Sequence, residues 1–199
     1  ISMCQEVFHF SVKKKEMKLE GNTLSENIIQ LCLLHHIPKK LIQQRMHRAA
    51  RSVEKHFMKI FPKHAEKFVL PGVKLLLTHL KKEQLALVTG NTQKIGNCIL
   101  KNTHLERYFK VKIFSTVAKN RKQLIQEAIK KMKTHLKLSN RDIIVVGDSI
   151  HDVDAAKPWK SLAVATGHTT IKELKKHHPT IIVKNLKNYR SIISLLQCM

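Results

Sequence analysis

Aspartate is almost missing from this chain. Its 199 residues hold four, Asp142, Asp148, Asp152 and Asp154, all in one short stretch, against 37 lysines and arginines. Chemistry that needs an aspartate therefore has one place to occur. Aromatic residues are also few, at 5%, and show none of the basic–aromatic interleaving that single-strand binders use. The four cysteines (Cys4, Cys32, Cys98, Cys198) never form a C-x-x-C pair, and no Cys/His cluster has zinc spacing. That pattern argues against a disulfide framework or a zinc site, and for reduced thiols in a cytoplasmic setting. The histidine pairs at 35–36 and 177–178 read as helix surface. No apolar run approaches the roughly 20 residues of a membrane span. The amino terminus carries its charges after its apolar part, the reverse of a secretory signal, and begins on Ile1. There is no repeat and no low-complexity linker.

What remains is enough to build a core. Hydrophobic residues make up 43% of the chain, which suits one medium domain or a core with a small added lobe. A formal charge of +23 calls for an anionic partner: nucleic acid, a phosphorylated metabolite or an acidic surface. The basic residues lie in short runs along nearly the whole length and read as a solvated face. A phosphorylated small molecule is favoured over nucleic acid.

The chain changes character near Val69–Pro71. Residues 1–68 read as helices alone. "TLSE" at 23–26 has capping-box spacing ahead of the apolar "IIQLCLL", and a second helix starts near Pro38 with apolar residues three and four apart. Residues 69–199 alternate between helix and strand, the strands being "QLALVT", "VKIFST", "DIIVVG", "SLAVAT" and "TIIVK". Near-continuous apolar strands between amphipathic helices predict an α/β fold. It is a Rossmann-like parallel sheet with helices on both faces, plus a small all-helical cap in residues 1–68.

Ligands of such sheets bind at the carboxyl ends of the strands, and two strand ends carry chemistry. Asp148 follows one strand and Asp152 lies a helical turn on, so both carboxylates can face one point and hold Mg²⁺. Ser149 to Asp152 equally has capping-box spacing, and the two readings stand level. Asp142 reads as a strand-edge residue and Asp154 as a solvated helix residue. Past the other strand, Thr89, Gly90 and Asn91 offer a hydroxyl and backbone N–H groups to an oxyanion; an ordinary turn gives the same residues. Lys119 or Arg121, opening a later helix, can neutralise phosphate charge, although a surface cation is the default in so basic a chain.

Taken in order, "LPGVKLLLTHLKKEQLALVTGN", "VAKNRKQLIQEAI" and "IIVVGDSIHDVDAAK" resemble the second, third and fourth motifs of the haloacid dehalogenase-like (HAD) phosphatases. "EGNTLSENI" and the helices after it resemble the small cap of the phosphoglycolate-phosphatase-like branch. The resemblance implies hydrolysis of a phosphate monoester with Mg²⁺ through an aspartyl-phosphate. It implies that Thr89, Gly90 and Asn91 bind the phosphoryl group, that Lys119 or Arg121 balances its charge, and that Asp148 and Asp152 hold the metal. The family's first motif, D-x-D, supplies the nucleophile. No aspartate precedes Asp142, so the nucleophile and acid/base are missing, and Ile1 aligns after that motif. The strand lost with it belongs between the Thr89 and Asp148 strands. "VFHFSV" (7–12) alternates like a strand and is the candidate to fill the gap, without a carboxylate. Leu24 stands where this branch often has Asp, which leaves the substrate open. The alternative is a non-catalytic descendant that binds an anion or nucleic acid.

Overall fold

A computed structural model describes residues 2–13, 16, 21–80, 85–115 and 120–199. The first element is a π-helical turn, Cys4–Phe8, followed by α1 (Leu24–Leu34) and α2 (Lys39–Ile60). Val7 and Phe8 therefore belong to a helix, and residues 9–13 form no strand. The expected strand at 7–12 is not there: Cys4, Val7 and Phe8 pack into α1 and α2, with Ile28, Cys32, Ile42, Met46 and Ala49, and burial of that apolar face outweighs the local alternation. Cys4 and Cys32 are fully buried. Burial pushes the Cys32 thiol up to about 12, with Cys4 adding to the shift.

Helix α1 begins where its sequence says it should. Thr23 Oγ1 accepts the Glu26 N–H at 3.3 Å while Glu26 accepts the Thr23 N–H at 2.7 Å. Pro38 stands at the cap position of α2, one residue before the helix proper.

Beyond α3 (Val73–His79) strand and helix alternate: β1 (Ala86–Thr89), α4 (Gln93–Asn102), β2 (Val111–Phe114), α5 (Arg121–His135) and β3 (Ile144–Gly147). Then come α6 (Ile150–Ala156), β4 (Lys160–Val164), α7 (Ile171–Lys176), β5 (Ile181–Val183) and α8 (Tyr189–Cys198). All pairing is parallel. It forms two ladders, β1 with β2, and β4 between β3 and β5. Among the described residues β1 and β3 are each paired along one edge only, and the break falls between the Thr89 and Asp148 strands. Val146, halfway along β3, is 50% exposed, as befits an edge.

The middle strand, β4, shows why the chain layers. Its alternate residues feed opposite cores: Leu162 and Val164 join Leu76 of α3 and Ile192 of α8, while Ala163 joins Val153 of α6 and Leu174 of α7. A period of two gives one strand two apolar faces, each needing a helix layer. Leu162 and Leu174 are fully buried, each worth roughly 2–3 kcal/mol in removed apolar surface. On the smaller ladder α5 covers one face, setting Leu124 and Ala128 against Ile113, Ala86 and Val88. Helix α4 approaches β2 closely: a Cβ on Gly96 would stand 2.4 Å from the Phe114 ring.

Candidate active site

A tight turn, Gly21–Asn22–Thr23, joins the two ladders at their carboxyl ends. Gly21 takes φ of +70°, which glycine adopts without steric cost, and an added Cβ would meet the His151 ring at 2.4 Å and Ser149 Oγ at 2.8 Å. One residue on, the turn reaches the other ladder. The Leu24 N–H donates to the Gly90 carbonyl at 2.8 Å, and a Cβ on Gly90 would lie 2.7 Å from the Asn22 carbonyl oxygen. The ends of β1 and β3 therefore face one short segment from the amino-terminal part of the chain.

Arg121, the first residue of α5, binds this segment to the acids. Its Nε and Nη2 donate to the Gly21 carbonyl at 3.3 and 3.2 Å, and Nε lies 3.4 Å from Asp152 Oδ1. Both side chains are largely buried, at 18% and 14% exposure, so this pair is shielded from the solvent that weakens surface ion pairs. Asn120 caps the helix and leaves Arg121 in its first turn, on the rim. Lys119, the other expected cation, lies outside the described residues.

Asp152 works as a cap. Its Oδ2 accepts the Ser149 N–H at 3.2 Å and the Ser149 hydroxyl at 2.7 Å, while its own N–H donates to Ser149 Oγ at 3.2 Å. Asp148 is exposed, with Oδ2 only 2.8 Å from where a Cβ on Gly167 would be. The fit for Mg²⁺ is that of a hydrated ion. Such an ion asks for one or two carboxylates and keeps several waters; Asp148 is exposed and can serve, whereas Asp152 would have to share oxygens already bonded to Ser149 and facing Arg121. Among the described residues no three His, Cys, Asp or Glu side chains gather as a closed metal cage.

On the β1 side, Thr89 Oγ1 accepts the Asn91 N–H at 3.2 Å, and the Asn91 carbonyl accepts the Ser115 N–H at 2.9 Å. These bonds tie down the turn that leads into α4. The α4 cap is Thr92, which makes no side-chain cap bond, and its hydroxyl oxygen is buried with no partner. A helix amino terminus with an unsatisfied hydroxyl beside it is suited to an anion.

Of the other two aspartates, Asp142 is not a strand-edge residue. It closes the 3₁₀ turn Asn140–Asp142 by accepting both the N–H and the hydroxyl of Ser139 at 2.7 Å. Asp154 is half exposed and pairs with His177 at 2.8 Å and Lys157 at 3.3 Å. Sequence reading placed Gly147 with Asp148 and Asp152 at the ligand edge but did not single out Gly21 or Gly167. Gly21 and Gly167 each adjoin an acid or a turn, which is the available signal, but what needs them small lies in a distant segment, Ser149 and His151 for Gly21 and Asp148 for Gly167.

The sequence model of the haloacid dehalogenase-like hydrolases matches residues 8–166. The chain belongs to this family. No curated protein sequence matches it significantly. Among solved structures, a hydrolase from Pseudomonas syringae superposes with a TM-score of 0.70 at 16% identity, over 97% of this chain and 88% of that one. A predicted phosphoglycolate phosphatase from Haemophilus somnus gives 0.68 at 18% identity, covering 96% and 87%. A β-phosphoglucomutase from Clostridium difficile gives 0.70 at 14%, covering 98% and 86%. At these identities the likeness is one of fold. Within the HAD fold, the rim built by Thr89, Arg121, Asp148 and Asp152 lies at the carboxyl ends of the strands, where open α/β sheets bind their ligands.

Proposed function

We propose that this rim is a phosphomonoesterase-type site for a small phosphorylated molecule, with Mg²⁺ held by Asp148 and Asp152. The observation that carries the reading is the α4 amino terminus, where the buried, unpartnered Thr92 hydroxyl adjoins the Thr89–Gly90–Asn91 turn. Such a terminus offers N–H groups and a positive dipole end to a phosphoryl oxygen. Arg121 supplies fixed positive charge across the rim, and Lys119 is the second candidate for that role. Mg²⁺, when bound, would neutralise phosphoryl charge. Residues 1–68, which fold around their own apolar cluster, serve as the cap over a core in residues 69–199. The four described cysteines are unpaired, in keeping with a cytoplasmic setting, and no helix among the described residues is long and apolar enough to cross a membrane.

Hydrolysis through an aspartyl-phosphate needs a carboxylate nucleophile at this rim. None of residues 1–141 is aspartate, and the described part of the adjoining turn presents Gly21, Asn22 and Thr23. This chain should therefore bind phosphate and not turn it over by that route. Calorimetry with inorganic phosphate, with and without Mg²⁺, paired with an assay on p-nitrophenyl phosphate, tests both halves. Phosphate binding weakened by Thr89→Val, without turnover, supports the reading. No phosphate binding sinks it, and Mg²⁺-dependent turnover overturns the inactive assignment.

A second reading has its own support. Asp152 is already engaged as the cap of α6 and as the partner of Arg121, which suits a non-catalytic descendant that keeps the pocket for an anion and dispenses with the metal. Phosphate affinity unchanged by Mg²⁺ and by Asp148→Asn would select it.

A further inference from the structure

The far end of α5 carries a second feature, distinct from the rim. Lys130, Lys133 and Thr134 share one face of the helix with Gln126 and Ile129, and together with Trp159 they line a wide, open depression of about 450 Å³. A neighbouring open patch of about 480 Å³, lined by α5 alone, shares Gln126, Lys130 and Thr134, so the two continue as one shallow groove along the helix. Trp159 sits just ahead of β4 and Asn140 just ahead of β3, which puts the groove at the amino ends of the strands. Thr134 is thirteen residues along α5 from Arg121, about 20 Å at 1.5 Å per residue. It is a different surface from the phosphate rim.

Its construction is specific. Trp159 Nε1 donates to Asn140 Oδ1 at 3.1 Å, and Lys133 Nζ donates to the same oxygen at 3.0 Å. The polar edge of the only tryptophan is thus pinned while its ring walls the groove. The charges around it are mostly cations. Glu127 is matched by Lys131 at 3.3 Å, and Asp142, hydrogen-bonded to Ser139 and still charged, faces Lys160, whereas Lys130 has no acidic partner among the described residues. At the edge of the patch, Lys160 donates to the Arg141 carbonyl at 3.0 Å, its charge partly offset by Asp142. Like charges three apart on a helix, as at Lys130 and Lys133, repel each other, and an anionic partner relieves that repulsion.

The sequence separates Trp159 from these lysines and so shows no basic–aromatic interleaving; the fold brings them together. We propose that this groove binds single-stranded nucleic acid, with Lys130 and Lys133 on phosphates and Trp159 stacked against a base. The combination of a positive track and an aromatic face is what sequence-tolerant strand binding requires. An isolated phosphate needs no aromatic wall, and an acidic peptide offers nothing to stack.

Because Trp159 is the only tryptophan, its fluorescence reports on this groove directly. The probe is an oligothymidylate of about 12 nucleotides, within the usual site size. Saturable quenching is expected, with affinity falling as salt rises by a log–log slope of about −0.7 for each phosphate met. Lys130→Ala with Lys133→Ala should flatten that slope by roughly 1.4. Trp159→Leu, followed by anisotropy of a labelled oligonucleotide, should weaken binding about fivefold or more. Circular dichroism confirms that each variant is folded, and the two lysine changes stand alone if Trp159→Leu is not. Binding without quenching, or with a slope untouched by the lysine changes, would show attraction to the basic surface at large and overturn the proposal. So would no binding, or equal quenching and competition by a polyglutamate peptide.

Discussion

Gly147→Ala tests the packing of the rim. Gly147 ends β3 and does not have a positive φ, so alanine suits the backbone and the cost is steric. The added Cβ would lie 2.3 Å from Asp152 Cβ, 2.5 Å from Cγ and 2.7 Å from Oδ2. The Asp152 side chain cannot simply swing aside, because Oδ2 holds the Ser149 N–H and hydroxyl and Oδ1 faces Arg121 at 3.4 Å. Making room means giving up the cap of α6, about 1 kcal/mol, and accepting overpacking of about 1–3 kcal/mol. The total is roughly 2–4 kcal/mol. With a urea m-value of about 2 kcal/mol/M, the unfolding midpoint should fall by about 1–2 M. Asp152→Gly removes the obstructing side chain, so Gly147→Ala in that background should cost only a few tenths of a kcal/mol. The coupling between the two positions should then exceed about 1 kcal/mol. An unchanged midpoint in the single variant, or the same cost in both backgrounds, refutes the claim that these residues are in forced contact.

Arg121→Ala removes both the shielded pairing with Asp152 and the bonds to the Gly21 carbonyl, so it should destabilise by about 2–3 kcal/mol in urea; Arg121→Lys keeps the charge without the fork and should recover only part of that. Wild-type stability of Arg121→Ala would mean that the turn at Gly21 is held by something else. Acid should weaken the fold over a defined window. The Ser139 hydroxyl and N–H hold Asp142 below its usual range, and Thr170 does the same for Glu173. A depressed folded pKa gives stability that is fully present above the unfolded value, near 4, and lost as pH falls through the folded value. Urea midpoints should hold above about pH 5 and drop below about 4, and Glu173→Gln should make that drop shallower. A profile that stays flat down to about pH 3 would contradict the capping roles.

The fold was largely legible in the sequence because its signals are local and repeated. The capping boxes at Thr23 and Ser149, the apolar strands "ALVT" and "KSLAV", and the helix faces of α5 and α8 all follow from which neighbours in the chain can bury or hydrogen-bond. The segment at 7–12 misled because alternation over six residues is a weak instruction. Cys4, Val7 and Phe8 found a better apolar surface on α1 and α2 than a sheet edge offered. Spacing also left Asp152 open between cap and metal ligand. In the folded protein Asp152 does cap the helix, and this does not forbid a hydrated cation at the exposed Asp148.

From its order of residues alone, the protein was committed to layered strands and helices, to a single stretch holding every aspartate, and so to the absence of any aspartate before Asp142. Those are properties of composition and of contacts within a few residues. Only the tertiary structure could bring Gly21 against His151, Arg121 against Asp152, and Trp159 beside Lys133. Contacts across such separations depend on how packed layers bring distant segments to one edge of a sheet, and no local pattern in the chain encodes that meeting.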